Sequence, residues 1–158
     1  MGIAYRPMQS GQEEAVASFI RQIPKDLGLS IAPKITAENL RVWQADVRVM
    51  TADNAGLLCG ACVWFTTYST WRAAKGAFIS DIFVLSHLRG RNLGSNLIKA
   101  TAREAAKDGA TFLRLDVTTS NPRPRQFYEG LGFVADDDDL NLFLEPGNFM
   151  QLIKESRS

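Results

Sequence analysis

The sequence predicts an α+β (mixed α/β) fold, with a central twisted mixed β-sheet and helices on both faces. Three observations point there. Apolar patterning runs in the order strand, two helices, three strands, helix, strand, helix, two strands, which is neither all-α nor all-β. A strand-like run ending Asp81-Ile82-Phe83-Val84 leads within a few residues into an alanine-rich amphipathic segment. No Pro/Gly-rich or low-complexity stretch is long enough to divide the chain, so residues 1–158 are expected to form a single domain.

Each element has a local cause. Residues 3–8 alternate as a short strand, and Ser10-Gly11-Gln12-Glu13 has capping-box spacing. Val16, Phe19, Ile20 and Ile23 follow at helical intervals until Pro24, where an interruption is expected. Thr36 is placed to cap a second short helix carrying Leu40 and Trp43. Residues 47–52 and 57–68 read as a hairpin around Asp53-Asn54-Ala55-Gly56, and residues 77–84 as the next strand. From Asn92 to Asp108, the residues Leu97, Ile98, Thr101, Ala102 and Ala105 share a helical face, and Gly109 stands where a C-terminal stop belongs. Residues 111–118 alternate as a strand. Asn121 can cap a short helix with Phe127 and Tyr128, ending near Gly130 and Gly132. Residues 133–135 and 140–144 are expected to be closing strands around the four aspartates 136–139.

Composition narrows the function. Apolar residues make up 46% and charged residues 22%, ordinary for a soluble globular protein. A net charge of +1 predicts no general attraction to nucleic acid or to an anionic membrane. No apolar run reaches the length of a membrane span. The start, Met1-Gly2-Ile3-Ala4-Tyr5-Arg6-Pro7, lacks signal-peptide form, and Arg6 stands where a myristoylation signal needs Ser or Thr, so a cytoplasmic location is expected. Two cysteines and one histidine leave little room for a metal site, and none is expected. Cys59-Gly60-Ala61-Cys62 matches the spacing of a redox pair, but it lies in an apolar strand-like run, where positions three apart face opposite ways. Both cysteines therefore read as core, and His87 reads as a surface residue.

The stretch Arg89-Gly90-Arg91-Asn92-Leu93-Gly94-Ser95 carries the clearest chemistry. A strand, a turn and a helix start in that order gather free backbone N–H groups at the positive end of a helix dipole, a binding site for phosphate oxygens. Arg89 and Arg91 add positive charge beside it.

These residues resemble the GNAT superfamily of acetyl-CoA-dependent N-acetyltransferases. Its pyrophosphate loop, Q/R-x-x-G-x-G/A, reads here as Arg89 to Gly94, with Asn92 where glycine is usual. Asparagine is the non-glycine residue that best tolerates positive φ. A second block of the family runs from Asn121 through Phe127-Tyr128 to Gly132-Phe133. Within the family, residues 60–84, with Tyr68-Ser69-Thr70-Trp71 and then Asp81 to Val84, are similar to the spermidine/spermine and thialysine acetyltransferase branch, with Ser80 in place of that branch's glutamate.

The resemblance implies a GNAT-like domain that uses acetyl-CoA and transfers its acetyl group, by direct attack in a ternary complex, to the primary amine of a small molecule: a diamine, a polyamine-like compound or an amino acid. An alkyl amine near pKa 10.4 is only about 0.04% neutral at pH 7, so the site must take a proton from the cation. Asp81 and Asp116 are the implied acceptors, and Tyr128 the implied proton donor to the leaving thiolate. Ile82, Phe83 and Val84 would serve through backbone groups, Gly90 to Ser95 with the two arginines would hold the diphosphate, and Asn121 and Pro124 would border the pantetheine. Tyr68, Ser80, Asp81 and Asp116 would contact the amine. Pairing into a homodimer is common in the family. Two other readings stay open: acetylation of protein N-termini or lysines, and a non-catalytic acyl-CoA sensor.

Overall fold

The computed structural model describes residues 2–155. They form two compact units, Met1–Pro122 and Arg123–Ser158. The first holds a five-stranded sheet in the order β1-β2-β3-β4-β5. The strands are β1 Ile3–Pro7, β2 Val47–Asn54, β3 Leu57–Ser69, β4 Ala74–Val84 and β5 Leu113–Leu115. Neighbours are antiparallel except β4 and β5, which run parallel, so the sheet is mixed as expected. Ala55 (φ 52°) and Gly56 (φ 91°) make the two-residue turn between β2 and β3, and the Gly56 N–H donates to Asp53 Oδ1 at 2.6 Å.

Helices cover both faces. Alternate residues of a strand face opposite ways, and Val49, Ala61, Val63 and Phe83 pack with helix α1 (Glu13–Asp26) and helix α2 (Ala37–Val42). On the other face, Gly60 lies against Leu97 of helix α3 (Leu93–Lys107); a Cβ there would come 2.8 Å from the Phe83 carbonyl oxygen and 3.0 Å from Leu97 Cδ1. That is why a glycine occupies this position in an otherwise bulky strand. Cys62 faces Thr101 of α3 on the same side.

Two helix starts and stops differ from their sequence expectation. The box at residues 10–13 does not form: Gln12 takes the cap position with helical dihedrals, its Oε1 accepts from the Gln9 N–H at 2.8 Å, and Glu13 Oε2 accepts from the Gly11 N–H at 2.8 Å. Pro24 does not end α1, which continues to Asp26. So close to the C-terminus the proline removes a single helical hydrogen bond, and the Leu27 N–H still reaches the Ile23 oxygen at 3.1 Å. Thr36 caps α2 as expected, in a reciprocal box with Asn39. The strand expected over 111–118 is only Leu113–Leu115, because β4 offers it a ladder only at Ala77, Phe78 and Ile79.

The second unit contains helix α5 (Pro146–Glu155) and nearly all of helix α4 (Pro122–Gly130). The closing strands expected at 133–135 and 140–144 are absent among the described residues. The Phe133 N–H donates instead to the Tyr128 carbonyl at 3.1 Å, finishing α4. Residues 140–144 have no ladder partner, and an extended run without one is not a strand. The aspartate run is tied down by Arg125, whose Nη1 lies 3.0 Å from Asp137 Oδ1. α5 was not expected from the sequence.

Candidate functional site

The site is built around a change of register in β4. Val63 of β3 pairs with Asp81 and Trp64 pairs with Ile79, so Ser80 is an extra residue, a β-bulge. The β4–β5 ladder ends at that point, with Ile79 opposite Leu115. From Ser80 onward β4 has no strand on its β5 side among the described residues. The Leu85 N–H donates to the Cys59 carbonyl at 2.9 Å, so Phe83 and Asp81 share that inward phase. Ile82 and Val84 therefore direct their backbone groups away from β3, along the open edge. The Phe83 side chain is core, stacked on Phe19 with centroids 4.8 Å apart.

At the end of that edge the chain makes a short 3-10 turn (Ser86–Leu88) and the loop into α3. Gly90 (φ 77°) and Asn92 (φ 65°) are both left-handed, so Asn92 adopts the conformation expected of the glycine it replaces. The first helical bond of α3 is from the Asn96 N–H to the Asn92 oxygen at 3.0 Å. The N–H groups of residues 90–95 make no backbone hydrogen bond among the described residues, and they stand at the positive end of a 15-residue helix. The Ser95 hydroxyl is already used, donating to the Asn92 oxygen at 3.0 Å, so Ser95 can offer a ligand its N–H.

The two arginines are not alike. Arg91 is exposed and has no ion pair among the described residues. Arg89 turns away from the role expected of it. Its Nε donates to the Val84 carbonyl at 2.9 Å, Nη2 lies 2.6 Å from Asp26 Oδ2 at the end of α1, and its guanidinium lies over Phe83. It anchors the start of the loop to β4 and α1.

Asp81 lines an apolar cavity of about 210 Å³ formed by α1, α2 and the segments flanking α2, and strands β2 to β4. Burial pushes its carboxyl above the usual carboxylate range, while a 2.8 Å hydrogen bond from the Ser80 hydroxyl opposes that shift. Asp116 follows the last residue of β5, exposed, where β4 and β5 part and level with Ser80. Tyr68 is 72% exposed and Trp71 fully exposed, and neither lines the cavity. The aromatics there are Trp43 and Phe65, which sequence reasoning did not assign to the amine; only the fold brings their elements together.

Asn121, next to the last residue of the first unit, is half-buried. In α4, Pro124 and Tyr128 are half-buried, and the Tyr128 ring meets Phe127 and Phe133 edge-on, at centroid distances of 5.2 and 5.6 Å. The cysteines are free and buried: Cys59 donates to the Ala52 oxygen at 3.3 Å, and burial pushes the Cys62 thiol up to about 12. A thiol so hard to ionise is a poor redox group. Among the described residues no cluster of three or more His, Cys, Asp or Glu is placed to hold a metal, and no helix is long and apolar enough to cross a membrane.

A bulge that opens a sheet, a row of amides beyond it unpaired among the described residues and a half-buried carboxylate beside it have the chemistry to bind an anionic thioester carrier and a cationic acceptor. The profile of the acetyltransferase (GNAT) family matches residues 19–133. A thialysine N-epsilon-acetyltransferase from Bos taurus is 28% identical over 142 residues, 82% of this chain and 83% of that protein. An integron cassette protein structure from the mobile metagenome of V. cholerae superposes with a TM-score of 0.77 at 19% identity, covering 98% of this chain and 99% of the other. An aminoglycoside acetyltransferase from an uncultured soil metagenomic sample, solved with sisomicin, superposes with a TM-score of 0.74 at 14% identity, covering 90% and 95%.

Proposed function

The chain belongs to the GNAT family of acetyltransferases, which use acetyl-CoA as co-substrate, and we propose that it acetylates the primary amine of a small molecule by direct transfer in a ternary complex. The observation that carries this reading is Asp81: a half-buried carboxylate lining an apolar cavity, on the strand whose free edge leads to the amide row of residues 90–95. The thialysine acetyltransferase relative supports a small-molecule acceptor.

The cofactor fits these residues. Its diphosphate is matched by the unpaired N–H groups of Gly90 to Ser95 and by the Arg91 charge. Its pantetheine amides are matched by the backbone groups of Ile82 and the N–H of Val84, whose carbonyl is taken by Arg89, with Asn121 and Pro124 as bordering residues. When bound, acetyl-CoA supplies an activated acyl carbon. Asp81 attracts the ammonium and accepts its proton, with Asp116 a second acceptor where the strands part. A backbone N–H on the open β4 edge stabilises the charge that grows on the acyl oxygen as the N–C bond forms and the C–S bond breaks. Tyr128 returns a proton to the departing thiolate, and a phenol suits that task because it stays protonated at neutral pH. Amine and acetyl-CoA thus give amide and CoA with no other reactant.

In this reading the whole chain acts as one acetyltransferase domain and needs no metal. The near-neutral net charge of +1 supports a partner other than nucleic acid or membrane. Exposed Leu140, Leu142 and Phe143 support pairing of two copies.

Incubating the protein with acetyl-CoA and a panel of amines, with products read by mass shift, tests the reading. Acetylated small amines are expected. Acetylation confined to peptide N-termini or lysines would move the function to the protein-acetylating class. Tight CoA binding with no product from any acceptor would make the protein a sensor.

A further inference from the structure

The cavity beside Asp81 says which amines fit. Apart from Ser80 and Asp81, every residue lining it is apolar, with Ile35, Leu40, Trp43, Val63 and Phe65 forming most of the wall. Asp81 is its one carboxylate. The charged pair behind the Ile35 wall is closed on itself: Arg21 pairs with Glu14, and its Nη1 donates to the Ile35 carbonyl at 2.9 Å. Asp46 and Asp108 line a second hollow, which shares Val47 and Phe65 with this one, and Asp116 is not among the cavity's lining residues. An acceptor with a second ammonium would therefore bury a cation against hydrocarbon with nothing to pair it, a costly arrangement. A hydrocarbon group in the same place removes apolar surface from water. The volume, about 210 Å³, exceeds the ~150 Å³ that suffices for a benzene ring in an apolar cavity.

We propose that the acceptor is a primary monoamine with an apolar alkyl or aryl substituent, its nitrogen at Asp81 and its hydrocarbon packed between Ile35, Leu40, Trp43 and Phe65. The inference rests on the acetyltransferase reading and sharpens it. Ser80 contributes directly: in place of a glutamate it offers a hydroxyl already bonded to Asp81, so the cavity wall carries a single carboxylate.

The test is a series on the wild-type protein at saturating acetyl-CoA. It compares kcat/KM for n-alkylamines from ethyl to hexyl and for phenethylamine with that for diaminoalkanes of the same lengths and for spermidine. Each added methylene is expected to raise kcat/KM about fourfold until the cavity is full. Each diamine is expected to fall below the monoamine of equal length by about tenfold or more. Diamines or spermidine outpacing the monoamines would overturn the inference while leaving the acetyltransferase reading intact. Transfer to no amine at all would remove both. Ile35→Asp, which adds a carboxylate to the wall, is expected to shift the diamine-to-monoamine ratio upward by about tenfold. An unchanged ratio in the folded variant, checked by circular dichroism, would count against hydrocarbon packing at Ile35.

Discussion

Asp81→Asn is expected to lower kcat/KM for amine acceptors by about 10²- to 10⁴-fold at neutral pH, the range typical of a lost general base, and to leave acetyl-CoA affinity nearly unchanged. The amide keeps the shape of the carboxylate but neither attracts an ammonium nor accepts its proton. Cofactor affinity is spared because the amide row at residues 90–95 belongs to a different segment. The pH profile gives an independent reading. Burial raises the Asp81 carboxyl above the ordinary 3.8, so in the wild type kcat/KM should fall, as pH drops, through a limb lying above that value. Below the limb the group is protonated and inert. In the variant the limb should vanish, leaving only the slope set by the amine's own ionisation. Loss of acetyl-CoA binding with amine use spared would reverse the assignment.

Tyr128→Phe should produce the second large effect: turnover down by about 10²-fold or more, with the Kd for acetyl-CoA by calorimetry within about twofold of wild type. The substitution removes one oxygen and keeps the ring that meets Phe127 and Phe133. A fall in kcat without a matching fall in affinity is the mark of a proton donor to the leaving group. Equal turnover in the variant would refute that role.

Where local rules govern, the sequence was a good guide. The left-handed turn at Asn92, the cap at Thr36, the Ala55-Gly56 hairpin and the stop at Gly109 (φ 92°) all depend on residues within a few positions of one another. The turn from Gly90 into α3 was legible for the same reason. The sequence marks Ser80 by the glutamate it replaces and as a contact of the amine; that it forms a bulge follows from how β3 and β4 align over their length. Arg89 looked like a loop cation because its partner, Asp26, lies 63 residues away in sequence. The cavity wall gathers Ile20, Leu40, Trp43 and Phe65 from separate segments, so no spacing announces it. Tyr68 looked suitable by its neighbours, yet it lies toward the end of β3 and stays exposed. The strand expected at 140–144 failed for want of a ladder partner, whereas α5 was readable in principle: Pro146 begins it, and Phe149, Met150 and Ile153 recur at helical spacing.

The central physical claim is that unpaired main-chain amides at the start of α3 hold the diphosphate that aims the thioester toward Asp81. Titrating acetyl-CoA into isotope-labelled protein and following backbone amide resonances tests this most directly. The account predicts that the N–H signals of Gly90 to Ser95 move furthest and saturate with the calorimetric Kd. Saturation of the protein with those signals unmoved would contradict it.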